Sequence, residues 1–201
     1  MEKRLLFWEL GGFLFTGAAG TLLRSAYGWL GNAAFAAPFA AVNGSLWEEM
    51  KALFVPVFLL SLVEIILLAG ECPRLPGVRG ASVLFGLGLI PVLCYTYTGV
   101  LGYSLPWADK ALFWLADLGL FWMDYRLLRR SRRAVLWRQV LGLAVLWGLA
   151  FAFVWCTFRP PDLALWRDSP AGAPEAGMLA ASAIPGGAVL RAFFRPRFAG
   201  F

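Results

Sequence analysis

Apolar segments of about twenty residues recur along this sequence, and they constrain its fold more than any other feature. A helix rises about 1.5 Å per residue, so roughly 20 apolar residues are needed to cross the hydrocarbon core of a bilayer. We predict such helices over residues 5–23, 46–69, 81–101, 106–125 and 135–158. The pattern therefore indicates an all-α, polytopic integral membrane protein with about five transmembrane helices.

The amino-acid composition supports a membrane protein. The chain is 60% hydrophobic and only 15% charged, whereas about 25% of the residues in a soluble domain are charged. Its net charge is +6, but the arginines cluster beside apolar segments, where anionic headgroups and the positive-inside rule account for them. We therefore expect membrane lipids as partners and no binding of nucleic acid.

Residue types that commonly perform catalysis or bind metals are scarce. Histidine is absent, and Cys72, Cys94 and Cys156 are dispersed without a paired motif. This pattern excludes Ser–His and Cys–His nucleophile pairs, histidine metal sites and haem bound through histidine. We expect no metal and no other cofactor, and the sequence does not favour an enzyme.

Two parts of the chain do not fit a transmembrane helix. Residues 33–42 are apolar but too short to cross and are broken by Pro38, which indicates a re-entrant or interfacial segment. After residue 168, Ala, Gly and Pro dominate. We therefore expect a transmembrane domain over residues 1–168 and a disordered tail over residues 169–201.

A polar cluster between two apolar segments is the densest candidate site. Ser45 and Glu48 have the spacing of a capping box, in which the serine accepts from backbone amides and the glutamate reaches back to the serine amide. Such a helix start offers amide donors and carboxylates to a substrate or ion. A capped helix end at the membrane interface, with Trp47 in the aromatic belt, is the alternative. The candidate residues here are Asn43, Ser45, Trp47, Glu48, Glu49 and Lys51.

Two glutamates lie within the predicted transmembrane helices. Glu9 precedes a face of small residues, Gly12, Thr16 and Gly20, on which another helix can pack closely. Glu64 lies deep in the next long apolar segment. Because charge is costly in lipid, we expect both side chains to face protein, either as a functional pathway or as protonated, hydrogen-bonded groups.

A spacing of seven residues predicts a polar stripe along one helix. Lys110, Asp117 and Asp124 fall on one side of the predicted helix 106–125, because two helical turns span about 7.2 residues. The stripe is either a proton or cation relay or a structural contact with neighbouring helices. Tyr97, at the hydroxyl-rich end of the preceding helix, is a further secondary candidate.

The arginine pattern predicts the orientation of the chain. With five crossings, the N-terminus, a loop over residues 70–80 that includes Arg79, and the basic loop Arg126–Arg133 share one side of the membrane. Positive residues favour the cytoplasmic side, so we expect this side to be cytoplasmic in a bacterial inner membrane. The arginines of the tail argue the other way, because an even number of crossings would place the tail inside.

One stretch resembles a known family. Val42–Pro56 reads VNGSLWEEMKALFVP and is similar to the pattern VNES-W-EH-K-LLF-P of an uncharacterised bacterial membrane-protein family, the DUF6512 type. Three further parts of the chain also resemble the family: residues 7–11 with 20–23, residues 95–102 and residues 157–168. Together the similar segments extend over about residues 5–172. The resemblance implies a membrane protein but no established activity.

The chain departs from the family pattern at two positions. Glu49 and Arg24 stand where the resemblance implies histidines. We hypothesise that Arg24 and Glu49 form a charge pair in place of two polar groups that meet in relatives. Arg24 is therefore a secondary candidate for the site.

The leading function hypothesis is a small membrane protein with a polar cavity that binds or moves a small solute, proton or ion. The first alternative is an accessory or assembly protein whose polar residues only pack. The second is an intramembrane enzyme that uses carboxylates as acid and base on a lipid-linked substrate. The residues expected to line the cavity are Glu9, Asn43, Glu48, Glu49 and Lys51.

Overall fold

The computed structural model of this chain describes residues 2–31, 36–68, 70–101, 105–130, 134–159, 161 and 164–166. Over these ranges the chain forms five α-helices and one 3-10 turn, Ala164–Trp166, without a β-strand. The predicted all-helical class is therefore confirmed. The helices are α1 Glu2–Trp29, α2 Leu46–Leu68, α3 Leu75–Leu101, α4 Pro106–Arg130 and α5 Leu136–Phe158.

Four of the described helices, α1, α2, α3 and α5, are long and apolar enough to cross a membrane. α4 has 25 residues, but it carries charged side chains both along its length and at its end. The described helices therefore agree with a membrane protein. A fifth crossing, by α4, stays a prediction.

Three helix boundaries differ from the predicted ones by five or more residues. α1 continues to Trp29, well beyond its predicted end. α3 begins at Leu75, so the predicted loop over residues 70–80 is wrong from that point. Pro76 fits the first turn of a helix, because its missing N–H needs no partner there. The segment expected to be a basic loop is helical as far as Arg130, since basic residues are favourable at the negative end of the helix dipole.

The short apolar segment and the tail are described only in part. Residues 36–39 form turns, and Ala36 and Ala40 are buried. Residues 32–35 lie outside the described ranges, so the re-entrant segment stays a prediction. The predicted tail, residues 169–201, lies wholly outside them.

Four helices form a closed ring. Each of α1, α2, α3 and α4 packs against two neighbours, in the order α1, α2, α3, α4 and back to α1, while α5 lies outside the ring and packs mainly on α3. Arg4 at the start of α1 forms an ion pair of 2.6 Å with Glu71, which follows α2. The amide of Gly77 in α3 donates to the side chain of Gln139 in α5 at 2.8 Å. These contacts place the starts of α1, α3 and α5 and the end of α2 together, and the ion pair of Arg79 in α3 with Asp124 brings the end of α4 to the same place. We call this the basic end of the ring, and the opposite end is the far end.

Small residues on α1 allow the ring to close. A Cβ atom added to Gly12 would lie 2.6 Å from Phe121 of α4, and one added to Gly20 would lie 2.5 Å from Phe113. Thr16, between the two glycines, is fully buried. The predicted small-residue face is therefore confirmed, and α4 is a helix that packs on it.

Glycines also bring α5 against α3. A Cβ atom on Gly142 would lie 2.1 Å from the carbonyl oxygen of Pro76, and one on Gly80 would lie 2.7 Å from the Cα atom of Gly142. The two backbones therefore touch at this crossing. Any larger side chain there would push the helices apart.

Candidate functional site

A group of charged side chains is buried inside the ring near the basic end. Arg79 of α3 is 0% exposed and pairs with Glu64 of α2 and Asp124 of α4. Its Nη1 atom lies 2.6 Å from Oδ2 of Asp124, and its Nη2 atom donates to Oε2 of Glu64. Glu9 of α1 is also buried and lies within electrostatic range of all three. We call these four residues the basic-end cluster, to which each helix of the ring contributes one member.

The basic-end cluster contains more carboxyl groups than cations. Oε2 of Glu9 and Oε1 of Glu64 accept no hydrogen bond from the residues that the structure describes. Three ionised carboxylates around one guanidinium would leave an excess of negative charge in an apolar interior, which is costly. Burial therefore favours the neutral, protonated form of at least one of these carboxyl groups.

A further buried carboxyl group lies part-way along the ring. Asp117 of α4 is 0% exposed, and Oγ1 of Thr16 lies 2.9 Å from its Oδ1 atom. The same hydroxyl lies 2.8 Å from the carbonyl oxygen of Gly12. Because a hydroxyl carries one proton, it cannot fully serve both acceptors. Thr16 can donate its proton to either acceptor, and when it donates to Gly12, a protonated Asp117 can donate to Thr16.

The predicted polar cluster lies at the far end, where α2 begins. Lys51 is 0% exposed, and its Nζ atom lies 2.6 Å from Oε2 of Glu48. The ammonium group also donates to the carbonyl oxygen of Ala37 at 2.8 Å and to Oγ1 of Thr157 at 3.2 Å. These contacts join α2 to the segment before it and to α5. Lys51 is therefore part of a closed, paired arrangement.

The capping-box prediction is half right. Oγ of Ser45 accepts from the amide of Glu48 at 3.4 Å, as expected. Glu48 does not reach back to Ser45, because its Oε2 atom accepts from the amide of Val42 at 2.8 Å and pairs with Lys51. Oδ1 of Asn43 accepts from the amide of Ser45 instead, at 3.1 Å. An asparagine side chain is suited to this, since it can bond the backbone two residues further on.

The hypothesised charge pair at the far end is present. Nη2 of Arg24 donates to Oε1 of Glu49, and the two side chains are 23% and 18% exposed. The guanidinium also lies over the ring of Phe113, 5.5 Å from its centroid. Tyr97 donates to Asp109, which lies within electrostatic range of Glu49. These partly exposed groups line the far end of the ring.

The prediction of a belt tryptophan at Trp47 is wrong. Its side chain is 9% exposed. The ring stacks on Trp166 with 4.5 Å between centroids and lies 4.6 Å from the ring of Phe153. Trp47 belongs to the apolar core between α2 and α5, because the 3-10 turn that follows α5 covers it.

The candidate residues fall into separate groups. From Glu9 to Arg24, α1 rises by about 22 Å, at about 1.5 Å per residue. The basic-end cluster and the Asn43–Lys51 cluster therefore do not meet, and the single cavity predicted to contain both is wrong. Asp117 lies between them, because its partner Thr16 is close to the middle of this stretch of α1.

The predicted polar stripe of α4 is only partly internal. Asp117 and Asp124 are fully buried, as expected for residues that face the ring. Lys110 is exposed. It lies in the second turn of α4, close to the end of the helix, where a lysine can keep its hydration. The stripe therefore supplies two buried carboxyl groups and no internal cation.

Arg79 and Ser82 are the site residues that the sequence pattern did not reveal. Ser82 donates from Oγ to Oδ1 of Asp124 at 3.1 Å. Both residues follow Pro76 and Gly77, which are typical of a loop and conceal the start of α3. One sequence feature could have indicated Arg79. Glu9 and Glu64 are predicted to be buried, and a buried carboxylate usually has a cation nearby.

The described residues give limited support to a metal site or an enzyme. Among them, no group of three or more His, Cys, Asp or Glu side chains could hold a metal ion. Two hydroxyl–carboxyl pairs, Thr16–Asp117 and Ser82–Asp124, have the spacing of a nucleophile and a base. All four side chains are 0% exposed, so a lipid-linked substrate has no access to them in this conformation.

Comparison with known proteins identifies a family but no activity. A family model described as a family of unknown function (DUF6512) matches residues 4–175. No curated protein and no solved structure matches the chain. The match confirms the resemblance seen in the motifs and brings no activity with it.

Proposed function

The chain belongs to the DUF6512 family of unknown function, and we propose that it is a multi-pass membrane protein whose ring of helices binds protons and passes them across the membrane. The observation that carries this proposal is the excess of buried carboxyl groups over cations inside the ring. The basic-end cluster holds three carboxyl groups and one arginine. Asp117 adds a fourth carboxyl group, hydrogen-bonded to a hydroxyl.

These groups are spread along the length of the ring. Asp124 and Asp117 are separated by two turns of α4, or roughly 10 Å, and Thr16 and Arg24 by roughly 12 Å along α1. Each gap exceeds the reach of a hydrogen bond. The mechanism therefore requires water molecules that enter between the carboxyl groups when the helices move, with Asp117 as the intermediate carrier.

The packing around the carboxyl groups favours a proton over a larger solute. Phe113, Leu120 and Phe121 of α4 and Val57 of α2 are buried in one apolar cluster inside the ring. Passage of a solute would displace these side chains, at the cost of much apolar burial. A proton needs only an occasional file of water.

We expect the ring to lie across a bacterial inner membrane with its basic end in the cytoplasm. α4 packs along both α1 and α3, so it crosses the membrane as a fifth span if those two helices do. Positive residues favour the cytoplasmic side. Those at the basic end include Arg4, Arg74, Arg129, Arg130 and Arg138.

A structural role without transport is the second candidate. Among the described residues, three cations that lie inside the ring or at its far end are each paired with a carboxylate. They are Arg24, Lys51 and Arg79. An accessory or assembly protein would need only this pairing for stable packing. The two candidates differ in one observable, because a scaffold passes no protons.

Proton flux into liposomes tests the proposal. Purified full-length protein is reconstituted into vesicles that contain a pH-sensitive dye, and a potassium gradient with valinomycin supplies the driving force. We expect flux well above that of empty vesicles. Asp117→Asn should reduce it at least tenfold, because an amide cannot accept and release a proton.

A carboxyl group outside the ring provides the matched control. Glu71 is at the basic end, and its side chain is 49% exposed. Glu71→Gln should leave the flux unchanged. Flux from the unmodified protein no greater than that of empty vesicles would refute proton passage and favour the structural role.

A further inference from the structure

A groove opens on the outer surface of the protein between α3, α4 and α5. It encloses about 340 Å³, within the range of roughly 300–1,000 Å³ that is typical of small-molecule pockets. Several apolar side chains that line it are exposed, so the groove faces the lipid. Its apolar lining includes Ala81, Leu84, Leu127, Trp137, Leu141 and Val145.

The groove follows from the way α5 packs. The glycine crossing holds the backbone of α5 directly against α3, at Gly80 and Gly142. α5 packs far more on α3 than on α4 along the described residues. The groove is therefore left open beside α4. The crossing of α3 and α5 forms its floor, and Leu127 lies on its α4 side.

The mouth of the groove is positively charged. Arg74 and Arg138 line it at the basic end, and Arg138 lies over the ring of Trp137, 5.4 Å from its centroid. α5 begins at this point, and its N-cap residue, Val135, has no side chain that can bond the first amides. A helix start carries partial positive charge and attracts phosphate. Two arginines and a helix start therefore converge beside an apolar groove.

We propose that this groove binds one anionic glycerophospholipid, with an acyl chain along the apolar lining and the phosphate at the mouth. The charge pattern matches such a lipid at both ends. The occupant reaches the groove from the bilayer, because the lining residues Leu84, Trp137 and Leu141 are 50%, 61% and 54% exposed. Anionic lipids are attracted to basic residues at the membrane surface. This site is independent of proton passage and stands or falls separately.

Lipid retention by the purified protein tests the site. Full-length protein in neutral detergent is incubated with equal amounts of phosphatidylglycerol and phosphatidylcholine, and native mass spectrometry counts the lipids that stay bound. We expect one phosphatidylglycerol to be retained in preference to phosphatidylcholine. Arg138→Gln should weaken this binding about fivefold, the equivalent of about 1 kcal/mol. Ala81→Trp should abolish it by filling the groove.

Two control variants place the same changes elsewhere. Arg159 lies over Trp155 at 5.2 Å at the far end of α5, so Arg159→Gln matches Arg138→Gln. Val92 is 61% exposed on α3 and does not line the groove, so Val92→Trp matches Ala81→Trp. Both controls should bind lipid as the unmodified protein does.

Other outcomes overturn the site. Equal retention of the two lipids would show that charge does not select the occupant. Unchanged lipid binding by the Arg138→Gln variant would show that Arg138 does not contact the lipid phosphate. If Ala81→Trp fails to elute as a folded protein, Arg138→Gln decides the question alone, because its side chain is exposed.

Discussion

At the scale of single residues, the buried charges depend on Arg79. Its guanidinium is the cation that Glu64 and Asp124 share. A buried ion pair adds little net stability, but removal of one partner leaves an uncompensated charge in a low dielectric. The carboxyl groups can respond by taking up protons, so Arg79 also sets how many protons the basic-end cluster holds.

We expect Arg79→Gln to destabilise the protein by about 3–5 kcal/mol, the usual cost of breaking a buried pair. Unfolding of the purified protein by increasing denaturing detergent measures the loss. Adding Glu64→Gln and Asp124→Asn should recover most of it, because the unpaired carboxylates are then absent.

An exposed pair at the same end of the protein provides the comparison. The side chains of Arg4 and Glu71 are 61% and 49% exposed, and exposed pairs contribute only about 0–1 kcal/mol. Arg4→Gln should therefore cost little. If the Arg79→Gln variant proves as stable as the Arg4→Gln variant, the buried ion pairs contribute nothing to the stability of the fold.

At the scale of helices, the glycine crossing fixes the position of α5. Gly142→Ala places a methyl group 2.1 Å from the carbonyl oxygen of Pro76, which is backbone and cannot move aside. Gly148, on the same helix, has nothing within 4 Å of an added Cβ atom. We expect Gly142→Ala to lower the unfolding temperature. Gly148→Ala should leave it unchanged or raise it, since alanine is favoured over glycine in helices by about 1 kcal/mol.

Thermal unfolding of the two variants beside the unmodified protein measures both effects. The contrast within one helix separates local packing from helix propensity. Equal stability of the two variants would mean that α3 and α5 are not held in contact at this point.

The helices and most of their ends were predictable from the sequence, whereas the end of α1, the start of α3 and the end of α4 were not. Long apolar runs and the small-residue face at Gly12 and Gly20 report directly on membrane crossing and close packing. The start of α3 is concealed because Pro76 and Gly77 occur both in loops and in the first turn of a helix. Arg79 therefore went unrecognised as a site residue.

The candidate site was predictable only in part, for a related reason. Inward positions of Glu9 and Glu64 follow from the cost of charge in lipid. Which residues meet across the ring depends on the order and direction of the helices, and a single sequence does not reveal these. Trp47 illustrates this: its pattern is that of an interfacial tryptophan, but the later 3-10 turn buries it.

At the scale of the whole molecule, polar groups occur at both ends of the ring and between them. Ion pairs close the far end at Lys51 and Arg24, and Arg79 anchors the basic end. The intermediate group, Asp117, has a hydroxyl partner and forms no ion pair with the residues that the structure describes. A proton path requires such a carboxyl group to bind a proton inside the ring, so the protonation state of Asp117 tests the first requirement of the proposal.

Infrared spectroscopy of the purified protein in lipid tests this central claim most directly. Neutral carboxylic acids show a carbonyl band that ionised carboxylates lack. We predict such a band at neutral pH, weakened in Asp117→Asn and in Glu9→Gln but not in Glu71→Gln. A spectrum in which every carboxyl group is ionised at neutral pH, with no band lost in either variant, would contradict the account.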